Sequence, residues 1–215
     1  MIHKKEIYDE EATRGNILKG FKNIIAKAKA EDVFVFYYAG HGTIDEDKGN
    51  SFYIVPTDVT KIYGDPEQLA RKCISDEELK NNLTLVKAQK QIVLMDACHS
   101  GAAVANMKVR GGASDEKAII TLARSSGVVI LASSGTQQFA TEFEILKHGT
   151  FTYALLEALD GKADRGDGQV TINEIKLYMD DRVPELTSQY GGKAQYPTGY
   201  ITGNDFPISV PHKKD

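Results

Sequence analysis

Residues 32–42 read Asp-Val-Phe-Val-Phe-Tyr-Tyr-Ala-Gly-His-Gly. The nearly unbroken apolar run predicts a strand buried on both faces, and the histidine that leaves it stands between two glycines, which allow an unusual backbone path and a close approach by a ligand. The same texture returns at residues 51–55 (SFYIV), 91–95 (QIVLM) and 127–132 (GVVILA). Strands of this kind imply a parallel sheet covered by helices.

The helices are legible around them. Over residues 10–30, Ile17, Leu18, Phe21, Ile24, Ile25 and Ala28 recur at helical spacing behind Thr13 and the acidic Asp9, Glu10 and Glu11. Ser75-Asp76-Glu77-Glu78 has the form of a capping box and opens a helix running to about Lys87. Residues 115–124, 151–159 and 172–186 supply three more helices, and the Gly-, Pro- and polar-rich stretch 188–200 stops the last. The order α-β-β-α-β-α-β-α-α fits one domain over 1–215 with an open, doubly wound α/β sheet. One irregularity stands out: such domains usually open with a buried strand, and here the first apolar strand begins only at Asp32. Either a first strand is lacking or the chain is a piece of a longer protein.

Composition narrows the function. The 215 residues are 41% apolar and 26% charged, and no apolar run approaches the ~18 residues of a membrane span. A net charge of −4 with scattered Lys and Arg gives no basic stripe for nucleic acid. The start Met-Ile-His-Lys-Lys-Glu lacks a secretory apolar segment, and two cysteines make no disulfide framework, which points to a reducing, cytoplasmic setting. Cys73 and Cys98 belong to no CxxC pair, so zinc is a poor reading of them.

Ligand and catalytic residues of open α/β sheets collect at the carboxyl ends of strands. Two motifs fall there: Gly40-His41-Gly42 and Asp96-Ala97-Cys98-His99-Ser100-Gly101. Thiols are activated by a neighbouring imidazole that takes the proton, so His41 and Cys98 form a candidate base and nucleophile if their strands are adjacent and parallel. His99 competes as the base, although an adjacent residue tends to point away from Cys98. Backbone N–H groups of Gly42 and Cys98 are candidates for an oxyanion hole, in which one lost donor costs about 3 to 4 kcal/mol. The histidine comes first and the cysteine 57 residues later, close to the caspase-type spacing of roughly 50.

Tyr37-Tyr38-Ala39-Gly40-His41-Gly42 and Asp96-Ala97-Cys98-His99-Ser100-Gly101 resemble the two signature motifs of the metacaspases and their bacterial caspase-like relatives. Residues 11–17, Ala132-Ser133-Ser134 with residues 138–142, and residues 149–156 are similar to later blocks of that family. The resemblance spans about residues 9–206 and implies a caspase-like sheet, with a large-subunit-like part over about 1–103, a linker loop over about 104–117 and a small-subunit-like part over about 118–207. It implies a cysteine endopeptidase working through an acyl-enzyme on Cys98. Where caspases that cut after Asp carry glutamine, this chain has Asp96, which implies cleavage after Arg or Lys, since a carboxylate pairs with either cation. The alternative is that Asp96 caps a loop amide.

Asp58 falls where the family often places a second acidic residue near the cleft; a solvated turn is the equal alternative. Ser133 and Ser134 are further candidates for the substrate pocket. The family's linker is often cut during maturation, so Lys108 and Arg110 are candidate autocleavage sites, against a plain surface loop. Residues 164–174 (DRGDGQVTINE) resemble a calcium loop, but counting back from Gly168 at loop position six puts Ala163 and Arg165 where oxygen ligands are needed. No cofactor is required, and no metal site is assigned; calcium enters as a candidate activator. The expected partners are protein or peptide substrates with a basic residue before the cut, and the expected state is a monomer or part of a larger multidomain protein. The competing readings are a catalytically silent caspase-like scaffold, or a nucleotide- or receiver-like domain, for which no GxGxxG or GxxxxGK[ST] loop follows a strand.

Overall fold

A computed structural model describes residues 2–45, 51–60, 66–97, 128–133, 142–143, 148–190, 194–201 and 203–211. Cys98, His99, Ser134, Lys108, Arg110 and the helix expected over 115–124 lie outside the described residues. Chain order runs α1 (Arg14–Ile25), β1 (Val33–Asp45), β2 (Ser51–Val55), α2 (Pro66–Lys72), β3 (Ile74–Ser75), α3 (Asp76–Leu85), β4 (Lys90–Ala97), β5 (Val128–Ala132), β6 (Glu142–Phe143), β7 (His148–Gly149), α4 (Thr150–Glu157), β8 (Val170–Thr171), α5 (Ile172–Gln189), β9 (Thr198–Ile201) and β10 (Pro207–Ser209).

Six strands form one sheet in the order β3-β2-β1-β4-β5-β9. Its centre, β1-β4-β5, is parallel, as the doubly apolar strands imply. The flanks are antiparallel: β2 folds back on the far half of β1, β3 on β2, and β9 on β5. Residues 51–55 are buried throughout like a central parallel strand, yet β2 is the return arm of a hairpin. Burial on both faces reports covering layers, not strand direction.

Side-chain alternation along the central strands splits the core in two. Val93, Met95, Phe34, Ile130 and Ala132 pack on one face with Ile17 and Phe21 of α1 and Leu79 and Leu83 of α3. Ile92, Leu94, Val129 and Leu131 pack on the other with Phe151, Ala154 and Leu155 of α4 and Ile172, Ile175 and Met179 of α5. The molecule is thus helix, sheet, helix in three layers.

Local rules set the element ends. Thr13 caps α1 by accepting from the Asn16 N–H, and a 3-10 turn over Asp9–Glu11 precedes it, so the helix is shorter at both ends than its apolar periodicity suggests. Ser75 accepts from the Glu78 N–H at 3.1 Å, but Glu78 spends its carboxylate on Arg14, so half of the expected capping box forms and the other half ties α3 to α1. The sheet is incomplete along one line. From Val33 to Gly40, β1 pairs with β4 on one edge; on the other, β2 begins only opposite Asp45 through His41, and no strand lies beside residues 33–40 among the described residues. Val33, Val35 and Tyr37, on the α4 side of this segment, are 42–45% exposed.

Candidate active site

The register of β1 and β4 decides where the two motifs meet. Tyr37 lies opposite Leu94, Ala39 opposite Asp96, and Gly40 opposite Ala97. Neighbouring strands are about 4.8 Å apart. Gly40 and Ala97 thus lie side by side at one end of the sheet, and each is the residue before His41 or Cys98 in the chain. Cys98 itself lies outside the described residues.

His41 is exposed, and its backbone is fixed from below. The Tyr38 hydroxyl donates to the His41 carbonyl at 2.8 Å, with the Val55 carbonyl a second acceptor at 3.1 Å. Burial pushes the Tyr38 phenol far above its ordinary range, so it stays a donor. Reaching His41 takes that hydroxyl across Gly40, where a Cβ would sit 2.7 Å from it. Gly40 is therefore glycine because the tyrosine needs the space. Gly42 continues β1 opposite Ile54 and is partly buried.

Asp96 is buried, and its Oδ2 accepts from the Thr152 backbone N–H at 3.1 Å and the Thr152 hydroxyl at 2.5 Å. Thr152 is the third residue of α4, whose N-cap, Gly149, has no side chain to offer. Asp96 supplies the missing cap from another strand, at the positive end of the helix dipole. Gly149 leaves room for it: a Cβ there would collide with Oδ2 and lie 3.1 Å from Cγ. The Tyr37 hydroxyl joins the chain 2.7 Å from Thr152 Oγ1. Asp96 thus caps the amide of a helix, not of a loop.

Ser133 is fully buried. Its hydroxyl accepts from the Ala97 N–H at 3.1 Å and donates to the Ala97 carbonyl at 3.0 Å, while its own N–H donates to the Met95 carbonyl at 2.8 Å. The hydroxyl of Ser133, a candidate for the substrate pocket, is bonded to the residue that precedes Cys98. Gln195 braces this joint, donating to the Ser133 carbonyl and accepting from the Thr150 hydroxyl at 3.1 Å. Sequence reading gave no role to Tyr37, Thr150 or Thr152, although they stand in the family-like stretches 37–42 and 149–156, and nothing local singles out Gln195.

Asp58 sits in an exposed turn after β2, where Lys72 pairs with its carboxylate at 3.7 Å. The other cysteine, Cys73, is buried, and burial, aided by the charge of Asp58, pushes its thiol up to about 11. It is no competitor for the nucleophile's role at neutral pH. In the calcium-like loop, Asp164 Oδ1 accepts from the N–H groups of Gly166, Asp167 and Gly168 at 2.7, 3.1 and 3.2 Å. Glu174 closes a full capping box with Thr171 at the start of α5. The oxygens that would face a cation hold backbone amides, and among the described residues no group of three or more His, Cys, Asp or Glu is arranged to hold a metal. Nor is any helix of the described residues long and apolar enough to cross a membrane.

Residues 4–205 match the model of the caspase domain, a peptidase family. The chain belongs to that family. Among curated relatives, this caspase-domain chain is 26% identical to metacaspase-6 of Arabidopsis thaliana over 81% of its own length and 45% of the relative's. It is 29% identical to metacaspase-7 of the same plant over 97% of its length and 49% of the relative's. Metacaspase-2 of Trypanosoma brucei brucei is 30% identical over 43% of the chain and 26% of that protein. The caspase domain here spans about half the length, or less, of these relatives. A crystal structure of a Geobacter sulfurreducens protein superposes with a TM-score of 0.58 at 19% identity, covering 94% of this chain and 78% of that one, which supports the fold.

Proposed function

We propose that this chain is a cysteine endopeptidase that cuts protein or peptide substrates after Arg or Lys, with Cys98 as nucleophile and His41 as general base. The observation that supports the reading is the parallel pairing of β1 with β4, in which Gly40 lies opposite Ala97, the residues just before His41 and Cys98.

The chemistry follows from the groups present. His41 takes the Cys98 proton, and the thiolate attacks the scissile carbonyl. Backbone N–H groups of Gly42 and Cys98 are the donors proposed for the oxyanion that forms. His41 returns the proton to the departing amine, leaving a thioester on Cys98; it then deprotonates a water, which attacks the thioester, and the acid product leaves as the thiol is re-protonated. Tyr38 holds the backbone at His41 and Ser133 that of Ala97, which supports a fixed relation between the two proposed reacting groups. Asp96 is the carboxylate proposed to receive the cation of the P1 residue, the one before the cut. Its attachment to α4 supports a fixed carboxylate beside the nucleophile's strand end.

Asp58 is kept as a second acidic group near the cleft, and Ser134 as a lining residue. Cleavage of the chain itself after Lys108 or Arg110, activation by calcium at a site other than the 164–174 loop, a reducing cytoplasmic setting, and a monomer or one part of a larger protein complete the proposal.

The test is turnover of paired fluorogenic peptides, one with Arg and one with Asp at P1, by the native chain and Cys98→Ala, with and without calcium. Arg cleavage that disappears in Cys98→Ala supports the reading. No cleavage of either peptide in any condition moves the assignment to a silent caspase-like scaffold.

A further inference from the structure

β4 ends at Ala97, whereas its last pair with β5 is Met95 with Ala132. The next bond, from the Ser133 N–H to the Met95 carbonyl at 2.8 Å, still follows the ladder. A parallel ladder carried further would take the Ala97 N–H to the Ser133 carbonyl. Here that carbonyl accepts from Gln195 Nε2, and the Ser133 hydroxyl accepts from the Ala97 N–H at 3.1 Å and donates to the Ala97 carbonyl at 3.0 Å. A hydroxyl is both acceptor and donor, so one side chain serves both backbone groups of one strand residue. The brace is built from two helices: Gln195 accepts from the Thr150 hydroxyl at the start of α4 at 3.1 Å, and its N–H donates to Thr187 Oγ1 of α5 at 3.2 Å. Ser133, Gln195, Thr150 and Thr187 are each at most 2% exposed, so water does not compete for these bonds.

We propose that Ser133, braced by Gln195, is the positioning residue of the oxyanion hole. This rests on the reading of Cys98 as nucleophile with its N–H as an oxyanion donor. The Ala97 carbonyl and the Cys98 N–H are the two ends of one planar peptide group, so a hydroxyl that holds the carbonyl also limits where the N–H can donate. The oxyanion exists only after the thiolate has attacked, so a misdirected donor slows the chemical step and leaves substrate binding alone. Alkylation of the same thiolate by iodoacetamide displaces iodide at a saturated carbon and forms no oxyanion. Loss of the Ser133 hydroxyl therefore separates peptide cleavage from alkylation, which a general loosening of the site does not do.

The experiment measures kcat and KM for an Arg-P1 peptide, and the rate and pH profile of Cys98 alkylation by iodoacetamide, in the native chain, Ser133→Ala, Gln195→Met and Cys98→Ala. Ser133→Ala lowers kcat about ten- to a hundredfold, short of the loss of a whole oxyanion donor, with KM within about twofold. Its alkylation rate and pH profile stay within about twofold of the native ones. Gln195→Met shows the same separation with a smaller fall in kcat. An unchanged kcat in Ser133→Ala overturns the proposal, as does a fall in kcat matched by an equal fall in the alkylation rate. Should Ser133→Ala fail to fold, Gln195→Met decides by the same two readouts. A native chain that cuts no peptide, or cleavage that survives Cys98→Ala, removes the reading of Cys98 and this proposal with it; native cleavage lost in Cys98→Ala but untouched in Ser133→Ala sinks only the inference.

Discussion

Gly40 and Tyr38 show how much of a site is set by a missing side chain. The tyrosine hydroxyl reaches the His41 carbonyl only because position 40 has no Cβ. Gly40→Ala must push the ring end aside and with it the backbone of His41, the proposed base, so kcat/KM is expected to fall by about tenfold or more, a misplacement cost. Tyr38→Phe combined with Gly40→Ala should recover part of that loss, because the clashing oxygen is gone. A double variant no better than Gly40→Ala contradicts the link. The cysteines give a second residue-scale test. With burial holding the Cys73 thiol up to about 11, it stays neutral and shielded at neutral pH. Native protein treated with iodoacetamide at neutral pH should therefore gain one adduct, at Cys98, and Cys98→Ala none; an adduct on folded Cys73 contradicts it. At this scale the motifs His41-Gly42 and Asp96-Ala97-Cys98 were legible because their chemistry is local. The partners of Asp96 and Ser133 were not, because Thr152 and Gln195 come from 56 and 62 residues away.

Among the elements, α4 and α5 are joined by a polar clamp that sequence spacing does not show. Glu157 near the end of α4 accepts from Arg182 Nε at 2.7 Å and from the Tyr178 hydroxyl at 3.1 Å, with Lys162 beside it. Burial alone would raise the Glu157 carboxyl, but these donors outweigh it and hold it below the ordinary range. A carboxyl lowered by folding contributes stability that is present above its unfolded value and is lost as pH falls through its folded value. The melting temperature of Glu157→Gln should thus lie below the native one at neutral pH, and the gap should close as pH falls through the ordinary carboxylate range and below it. A gap independent of pH would show that packing, not charge, is what Glu157 supplies. Helices α1, α3, α4 and α5 followed from apolar spacing and caps, whereas α2 was not expected; the start of α1 moved where the Thr13 cap outranks periodicity, and α5 starts behind Thr171 at the expected residue.

For the whole molecule, the central strands and covering helices were readable from apolar runs, and strand direction at the flanks was not. The five residues of β2 are buried because α3 and its neighbours cover them, so their texture matches a parallel strand while their pairing is antiparallel. Among the described residues, no strand pairs with the second edge of β1 from Val33 to Gly40. The half of the core under α4 and α5 centres on side chains such as Phe151, which is fully buried; Phe151→Ala should cost about 3 to 5 kcal/mol in chemical denaturation, and a cost below about 1 would contradict its place there.

The nucleophile and base can be tested together by covalent capture. An electrophilic peptide ketone carrying Arg at P1 is added to the native chain, Cys98→Ala and His41→Ala, and each is read by intact mass and fragment mapping. A single adduct on Cys98 that forms far more slowly in His41→Ala is the expected result. Labelling that ignores His41, or that falls elsewhere than on Cys98, contradicts the dyad.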